Sequence, residues 1–487
     1  MMKPASKSLM KDALFELETV DNAFPSSSLG GILSTPDNAH LLNHVYKDTF
    51  VHIFPGDRPK YKEVQFFEDL ESELIQAASF HLWTILPICK YRCNFCQFPI
   101  LTSSKNKSHL QSLAHQWVDA NIAEAKLWIK AAPSLTSRPV GEFCLFGGTP
   151  TALPVHELIR LMDYFTKNFN FHSSTSLRVE GSPDTLSRSM LIELYKMGFR
   201  ALTYGIQSFD DELLRIANRG HNGADAMRVI QDAWEVGFTR VDGDLIYGLP
   251  GQTVHGFLAD VEKMIALDFS TIQMVKLHIR SFNEVDLAIG NPLQAVWEKP
   301  RNREKLARLG YRWPSLGEQY QMREQGDDLL STAGYYEHPA TYFPKQTIGP
   351  ERWRSLNLDH NKQYPQIGIG LGCYSWNSRS EANMIASPTE YLNTLHQNRL
   401  PFDSITGISN REREVRAVRM ALSTCQPLED KIHRQRFDNQ SLFREYWKPK
   451  FVDMERRGLL SLNHAASQIL LTKEGRSLVE AIIAIEI

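Results

Sequence analysis

Six short apolar segments between residues 80 and 280, each followed by a stretch long enough for a helix, constrain the fold more than any other feature. They are residues 81–88, 142–146, 177–180, 201–206, 240–246 and 271–277. This alternation is typical of repeated strand–helix units, in which parallel strands are covered by helices through right-handed crossovers. The sequence therefore predicts an α/β fold whose parallel sheet curls into a partial or full TIM-like barrel, with ligands at the carboxyl ends of the strands.

The remaining sequence predicts three regions around a barrel core at residues 76–285. Residues 1–75 are polar and turn-rich and form an N-terminal extension, whereas residues 286–405 cover the barrel mouth. Residues 406–487 combine helices, a short hairpin and a final helix, which favours a small winged-helix-like domain. From Asn410 onward, 14 lysines and arginines face 11 acids in the same helices. A DNA-binding surface needs a basic stripe, so a structural or substrate-covering role is favoured.

Composition and charge limit where the protein can reside and which partners it can bind. A formal net charge of -2 provides no global field to recruit nucleic acid or an anionic membrane. No run approaches the roughly 20 apolar residues of a membrane helix, and the first residues carry acids where a signal peptide would be apolar. Six cysteines are too few for a disulfide scaffold in a chain of 487 residues. We therefore expect a cytoplasmic protein that acts on a small molecule.

Cys89, Cys93 and Cys96 lie in LPICKYRCNFCQF, directly after the first predicted strand. Three thiolates from one short loop can occupy three corners of a four-iron cube and leave the fourth iron open. An open coordination position is typical of reactive metal centres, and here it can accept the amino and carboxylate groups of an amino acid. The triad predicts a [4Fe–4S] cluster.

Zinc and inert core cysteines are the alternatives at this loop. Zinc is disfavoured because no histidine or fourth cysteine lies nearby, and structural zinc sites close a tetrahedron. Cys144, Cys373 and Cys425 are isolated in apolar context, where a cysteine usually only packs.

At this point the chain resembles a known family, the radical S-adenosylmethionine enzymes related to oxygen-independent coproporphyrinogen III oxidase. The cysteine spacing and the aromatic Phe95 before the last cysteine match that family. The resemblance continues in order through LFGGTPTAL, EGSPDTL, GIQSFDDELLRIANRGH and GDLIYGLPGQT, and covers roughly residues 80–285 and 365–487. It implies the cluster and S-adenosylmethionine as cofactors.

The resemblance also implies which residues hold S-adenosylmethionine. The GGTP turn is assigned to the methionyl amino group, Glu180 to an ammonium or ribose, Arg219 to the carboxylate and Ile246 to adenine. Arginine suits a carboxylate because its planar fork bonds both oxygens. The complete predicted set of cofactor contacts is Trp83, Phe95, Gly147, Gly148, Thr149, Glu180, Gln207, Arg219, Asp244 and Ile246.

The implied reaction begins with one-electron reduction of the cluster, for which a flavodoxin or ferredoxin is the expected donor. Homolysis of S-adenosylmethionine then gives methionine and a 5′-deoxyadenosyl radical that abstracts hydrogen. The protein positions the cofactor and excludes oxygen and water. No residue is assigned a catalytic role from the sequence.

Departures from the family pattern just before the cluster bear on the overall reaction. Trp83, Ile85 and Ile88 stand where relatives have a tyrosine, a histidine and an aromatic residue, in the part of the pocket that holds a second S-adenosylmethionine in some of them. Trp83 is predicted either to stack on such a second ligand or to pack in the core. The first 57 residues contain no arginine to bind a tetracarboxylate. The departures favour methyl or methylene transfer with two S-adenosylmethionines over oxidative decarboxylation.

Haem trafficking is the alternative from another class, because some relatives are haem chaperones with a His-Asn-x-x-Tyr-Trp signature. His360, Asn361 and Tyr364 occur as HNKQY, but Pro365 replaces the tryptophan, and we interpret the match as coincidence. The glycine-rich run IGIGLG that follows predicts a close-packed strand rather than a phosphate loop, because no strand–turn–helix context accompanies it.

Overall fold

The structure is a computed structural model, and it describes residues 32–33, 35–38, 40–41, 60–102, 107–279, 295–347, 364–444 and 446–487. An eleven-stranded sheet, in the order β13-β12-β11-β10-β1-β4-β5-β6-β7-β8-β9, organises most of them. The strands of this sheet are β1 (Phe80–Leu86), β4 (Val140–Gly147), β5 (Ser176–Gly181), β6 (Ala201–Gln207), β7 (Arg240–Tyr247), β8 (Thr271–Lys276), β9 (Tyr342–Pro344), β10 (Gln366–Ile369), β11 (Tyr374–Trp376), β12 (Ser380–Met384) and β13 (Phe402–Gly407). A two-residue ladder, β2 (Ile88–Cys89) with β3 (Leu101–Thr102), lies outside it.

All six predicted strands are present, with bounds that differ by one or two residues. The strands β1, β4, β5, β6, β7 and β8 pair in parallel in that order, which confirms the predicted barrel-like α/β sheet. The helices from the start of the described chain to β9 are α1 (Glu63–Gln76), α2 (Lys107–Ala131), α3 (Val155–Asn168), α4 (Arg188–Lys196), α5 (Asp211–Ile216), α6 (Gly223–Val236), α7 (Val254–Ala266), α8 (Pro300–Arg308) and α9 (Leu316–Thr332). Each crossover between these parallel strands contains at least one of the helices α2–α7, as is usual for connections between parallel strands.

Alternate residues of each strand face opposite sides of the sheet. One side packs on the helices: Tyr204 of β6 donates its hydroxyl to Val229 O of α6 at 3.3 Å, and the ring of Phe143 lies 5.6 Å from that of Phe165 in α3. The other side is the inner face of the curled sheet. It is lined by polar and aromatic side chains, among them Arg178, whose Nη1 lies 2.5 Å from Asp242 Oδ2.

Strands β10 to β13, which lie within residues 286–405 and just beyond, extend the sheet from its β1 edge. That the rest of residues 286–405 covers the barrel mouth stays a prediction. The first three residues of the IGIGLG segment lie in β10, which is the predicted strand, and β10 pairs in parallel with β1. A Cβ on Gly368 would lie 2.3 Å from Tyr374 O, so glycine permits β10 and β11 to approach this closely. Of the strand-like GYYEHPATYF, Tyr342 and Phe343 enter β9, which ends at Pro344.

The last eighty residues form a second apolar cluster beside the sheet. Their order is helix, strand, two helices, a hairpin and two short helices, with a separate three-stranded sheet β14-β16-β15. This is the predicted winged-helix-like arrangement. The elements from β12 onward are α10 (Pro388–His396), α11 (Asn410–Ser423), β14 (Leu428–Glu429), α12 (Asp430–Arg436), α13 (Lys448–Arg456), β15 (Leu460–Asn463), β16 (Gln468–Leu471), α14 (Lys473–Ser477) and α15 (Val479–Ile485).

The described part of the N-terminal region is anchored at both cores. Helix α1 buries Phe66, Leu70 and Leu74 against the main sheet, whereas Leu33 and Leu41 join the C-terminal cluster. The precise domain boundaries stay a prediction. Each helix within the described ranges is too short or too polar to cross a lipid bilayer.

A buried carboxylate organises the C-terminal cluster. Burial raises the pKa of Glu414, but hydrogen bonds from His433 and Trp447 and the charges of Arg444 and Arg411 outweigh burial and lower it to about 2. Arg444 Nη2 lies 2.6 Å from both carboxylate oxygens, and Trp447 Nε1 donates at 2.7 Å. One side chain therefore joins α11, α12 and the segment before α13.

We expect Glu414→Gln to destabilise this cluster by about 3 kcal/mol or more, because breaking a buried ion pair leaves its partners uncompensated. Since the folded-state pKa lies below the ordinary value of 4.5, the stabilisation is complete above pH 4.5 and is lost as the pH falls towards 2. Calorimetric unfolding between pH 7 and pH 3 should show a shrinking difference between wild type and variant. Glu480→Gln, at an exposed helical position, is the control, and an equal effect there would contradict the assignment.

Candidate functional site

The three cysteines lie on one short loop at the carboxyl end of β1. The loop is closed by the β2–β3 ladder, in which Cys89 stands opposite Thr102, and by the N–H of Leu101, which donates to Pro87 O at 2.6 Å. Within it, the N–H of Cys96 donates to Cys93 O at 3.2 Å. These backbone contacts join residues 87–89 to residues 101–102 and so close the loop.

The thiols are half-buried in a mixed polar environment. Thr149 Oγ1 lies 3.4 Å from Cys89 Sγ, and Arg219 Nη1 lies 3.1 Å from Cys93 Sγ. Burial raises the pKa of the Cys89 thiol to about 12 and also raises that of Cys96. A cysteine binds metal as the thiolate, so metal loading at Cys89 and Cys96 should release protons.

These donors fit an iron–sulfur cube better than a single ion. Among the described residues, no group of three or more His, Cys, Asp and Glu side chains converges on one metal position. A cube binds each thiolate at a different iron, so its three ligands need not meet at one point. The chemistry of the donor set, three sulfurs on one loop beside a guanidinium, therefore fits the predicted cluster.

The GGTP turn at the end of β4 packs directly on the cluster loop. The N–H of Gly148 donates to Leu86 O and that of Thr149 to Ile88 O, each at 2.8 Å. A Cβ on Gly148 would lie 2.5 Å from Ile88 O and 2.6 Å from Ile88 N, so only glycine fits. A protonated amino group only donates hydrogen bonds, so an amino group bound at the turn would be held by the carbonyl oxygens of the turn.

Arg219 connects three parts of the site. Its Nη2 donates to Ser182 Oγ at 2.9 Å, after β5, and to Gly205 O at 2.5 Å, in β6, while Nη1 points at Cys93. The sequence predicted a role for Arg219 but none for Ser182, although Ser182 lies in the EGSPDTL motif. The guanidinium stands between the cluster loop and the strand ends, where a bound carboxylate would need it.

Glu180, Gln207 and Asp244 lie in the carboxyl-terminal halves of the neighbouring strands β5, β6 and β7, on the inner face. Asp244 is paired in register with Gly205, and a bulge follows before Gln207, which has a φ of 72°. Bulges near sites re-aim side chains, and a left-handed residue other than glycine is uncommon. A Cβ on Gly205 would lie 2.6 Å from Gln207 Nε2 and 3.5 Å from Arg219 Nη2. The glycine therefore makes room for both side chains, which brings the predicted Gln207 and Arg219 together.

Ile246 and Phe95 also share a location. Both belong to one apolar cluster, which further contains Leu213, Leu249 and Trp297. The predicted Trp83 lies elsewhere, on β1, with ring centroids 5.4 Å from Phe146 and 5.9 Å from Tyr374 in edge-to-face geometry. The predicted residues therefore fall into two places. Phe95 and Ile246 share one apolar cluster, whereas Trp83 forms an aromatic wall with Phe146 and Tyr374 where β1, β4 and β11 lie.

Residues 295–298 contact the cluster loop, which sequence analysis did not anticipate. The N–H of Trp297 donates to Asn94 O at 2.9 Å, and Gln97 Nε2 donates to Glu298 Oε1 at 2.7 Å. No local pattern marks this contact, because the two segments are about two hundred residues apart. Arg178 and Asp242 were also missed, although each stands two positions before a predicted residue on the same strand face. Because residues two positions apart in a strand lie on the same face, this spacing could have predicted that Arg178 and Asp242 face the site.

His360 and Asn361 of the haem-chaperone hypothesis lie outside the described residues. Tyr364 is described, and its ring stacks on buried His81 with centroids 5.6 Å apart. This contact places Tyr364 under the amino ends of the strands, opposite the cluster loop.

Comparisons with known proteins agree with this geometry. Residues 83–264 match the family model described as the radical SAM superfamily. The chain is 24% identical over 398 residues to heme chaperone HemW of Bacillus subtilis, covering 81% of this chain and 95% of that protein. It is 31% identical over 212 residues to the oxygen-independent coproporphyrinogen III oxidase of Escherichia coli, and this alignment covers 42% of this chain and 45% of the oxidase. That alignment therefore spans less than half of the oxidase.

Among solved structures, the coproporphyrinogen III oxidase of Escherichia coli matches with a TM-score of 0.70 at 21% identity, covering 88% of this chain and 96% of that one. Fold, cluster loop and family model together define a radical S-adenosylmethionine protein, and its cofactors are a [4Fe–4S] cluster and S-adenosylmethionine. Within that superfamily, the chain is similar to both oxygen-independent coproporphyrinogen III oxidase and HemW.

Proposed function

We propose that this radical S-adenosylmethionine enzyme transfers a one-carbon unit, by methylation or cyclopropanation, to a small-molecule acceptor and uses two S-adenosylmethionines. One would be the radical source and the other the carbon donor. The aromatic wall of Trp83, Phe146 and Tyr374 on the inner face is the observation that supports this choice.

Different residues of this chain would bind the cluster and the separate parts of the first S-adenosylmethionine. Cys89, Cys93 and Cys96 would hold the cluster, and Arg219 would neutralise the carboxylate beside it. When bound, the cluster supplies the electron that cleaves the sulfonium and yields a 5′-deoxyadenosyl radical. The remaining contacts that we propose are the GGTP turn, Glu180, Gln207 and Asp244 for polar groups, and Phe95 and Ile246 for adenine.

The inner face suits a sulfonium better than a polycarboxylate. A cation over aromatic rings is stabilised by their quadrupoles, and cages of aromatic rings bind alkylated cations. Arg178 and Arg240 of the same face both contact Asp242, at 2.5 and 3.2 Å, so their charges are committed to a carboxylate. This supports a second S-adenosylmethionine near Trp83 and disfavours a tetracarboxylate substrate.

Two alternative functions come from the relatives. The named oxidases suggest oxidative decarboxylation of a coproporphyrinogen-like substrate, and HemW suggests a haem chaperone. A haem titration separates the chaperone from the others, because a chaperone would bind haem stoichiometrically and show no turnover of S-adenosylmethionine.

Product analysis tests the proposal. We expect anaerobically reconstituted protein, incubated with reductant and candidate acceptors, to form S-adenosylhomocysteine together with 5′-deoxyadenosine, as measured by mass spectrometry. Formation of 5′-deoxyadenosine without S-adenosylhomocysteine across the acceptors would instead favour hydrogen abstraction alone and contradict carbon transfer.

A variant of the aromatic wall sharpens this test. Trp83→Ala should lower the yield of S-adenosylhomocysteine roughly tenfold, the scale of a desolvated cation–π contact, while 5′-deoxyadenosine continues to form. Trp83→Phe retains an aromatic face and should lose less. Equal losses of both products in Trp83→Ala would mean that Trp83 only supports the core.

A further inference from the structure

The carboxylate of Asp184 lies where the cluster loop meets the turn that follows β5. Tyr91, which stands between the first and second cysteines, donates its hydroxyl to Asp184 Oδ1 at 3.0 Å. Lys90 Nζ donates to the backbone carbonyl of Asp184 at 2.7 Å and lies 3.6 Å from its Oδ2. Two successive residues of the cluster loop are therefore tied to one aspartate.

The same carboxylate reaches Arg219 through Ser182. Ser182 Oγ donates to Asp184 Oδ1 at 2.6 Å, so its proton is committed to the carboxylate. The lone pairs of this oxygen stay available, and Arg219 Nη2 donates to them at 2.9 Å. Because Arg219 Nη1 lies 3.1 Å from Cys93 Sγ, a continuous chain of polar contacts joins Asp184 to a predicted cluster ligand.

The backbone next to Arg219 packs on this group as well. A Cβ on Gly220 would lie 2.5 Å from Tyr91 Cε1 and 3.0 Å from Asp184 Oδ2. A larger residue would push against both, so glycine at this position lets the chain after Arg219 approach the pair closely. Two separate contacts, one through side chains and one through backbone packing, therefore locate Arg219 relative to Asp184.

The acceptor in this arrangement is an ionised carboxylate. Burial raises the pKa of Asp184, but the hydrogen bond from Ser182 and the charge of Lys90 outweigh burial and lower the pKa below its ordinary value of 3.8. A charged carboxylate binds a hydroxyl donor more strongly than a neutral acceptor does. The Ser182 hydroxyl is therefore held in the orientation that leaves its lone pairs facing Arg219.

The position of Arg219 should affect how easily a cluster on Cys93 takes up an electron. Reduction adds one negative charge to the cluster, and a positive guanidinium or an N–H donated to a ligand sulfur stabilises the reduced form. A guanidinium that is free to turn away from Cys93 Sγ loses this effect. The midpoint potential of the cluster should therefore fall when Arg219 loses its support.

We propose that Asp184, acting through Ser182, is a positioning residue for Arg219 and thereby raises the reduction potential of the cluster. Its role is to keep the guanidinium directed at Cys93 Sγ. The inference rests on the part of the proposed function that assigns a cluster to the three cysteines, but it does not depend on carbon transfer.

Redox titration of the reconstituted full-length protein, followed by electron paramagnetic resonance of the reduced cluster, tests this role. Three variants are compared with the wild type: Ser182→Ala, Asp184→Ala and Asp184→Asn. Both changes at Asp184 remove one negative charge, but the asparagine keeps a carbonyl oxygen that can accept from Ser182 and Tyr91. A difference in potential between these two variants therefore reports the hydrogen bonds and not the charge.

We expect Ser182→Ala to lower the midpoint potential by about 59 mV, which corresponds to a tenfold smaller equilibrium constant for one-electron reduction. The potential of Asp184→Ala should lie below that of Asp184→Asn by a similar amount, because only the asparagine retains the acceptor. Iron content should stay at the wild-type level in Ser182→Ala, since all three cysteines remain.

Ser187→Ala is the matched control for the loss of a hydroxyl in this segment. Ser187 Oγ accepts the N–H of Met190 and caps α4. Its loss should lower the melting temperature, as loss of a helix cap does, and should leave the midpoint potential unchanged.

A wild-type potential in Ser182→Ala, or equal potentials in the two Asp184 variants, would overturn the proposal. An equal fall in Ser187→Ala would overturn it too, as would a Ser182→Ala protein that binds no iron, because Ser182 would then hold the loop itself. If Asp184→Ala binds no iron, the comparison of Ser182→Ala with Ser187→Ala decides. The proposed function fails separately: protein with the expected potentials that forms no S-adenosylhomocysteine would refute carbon transfer and leave the role of Asp184 intact.

Discussion

Replacing Cys93 by alanine should yield a folded protein that forms no detectable 5′-deoxyadenosine. One of three cluster ligands is lost, and removal of a ligand should weaken iron binding by more than about 100-fold, the upper end for loss of an outer partner. Iron content, cluster absorbance and mass spectrometry of the products after anaerobic reconstitution measure this effect. The sheet should persist because Cys93 lies on a loop whose closure depends on the β2–β3 ladder and not on this side chain.

Cys425→Ala is the matched control for this experiment. Cys425 follows α11 in the C-terminal cluster, far along the chain from the cluster loop, and its replacement should leave iron content unchanged. Undiminished 5′-deoxyadenosine in Cys93→Ala would refute the ligand assignment. A wild-type protein that stays colourless and iron-free after reconstitution would refute the cluster itself.

Gly148→Ala should nearly abolish cluster binding through sterics alone. The added methyl group would overlap Ile88 O and Ile88 N at 2.5 and 2.6 Å, and these are backbone atoms that cannot rotate away. The segment leading to Cys89 must therefore shift, at a cost of about 3 kcal/mol, the upper range for overpacking. The iron stoichiometry of the reconstituted variant measures the loss of cluster binding, and its thermal unfolding measures the loss of stability.

Gly310→Ala provides the control for adding a methyl group. A Cβ there meets nothing within 4 Å, but the residue has a φ of +84°. We expect a loss of about 1 kcal/mol from backbone strain and a normal iron content. Normal iron content in Gly148→Ala would show that the turn does not control the cluster loop.

Much of the candidate site could be predicted from residues that lie close together in the sequence. The three cysteines lie within eight residues, and the apolar run before them predicts a strand. The position of the cysteine loop at the end of a strand was therefore predictable. The same holds for Glu180, Gln207 and Asp244, because parallel strands bring their carboxyl ends to one edge. Their roles as cofactor contacts stay predictions.

The sequence by itself determined the α/β class, the order of the parallel strands and the cysteine loop, because these depend on periodicity and on spacing along the chain. Tertiary structure alone decided that β10 joins β1, that Gly205 makes room for Arg219 and Gln207, and that Trp297 and Glu298 rest on the cluster loop. Such contacts join residues far apart in the chain, and they are selected by shape and hydrogen bonding between finished elements, which leave no periodic signal in the sequence.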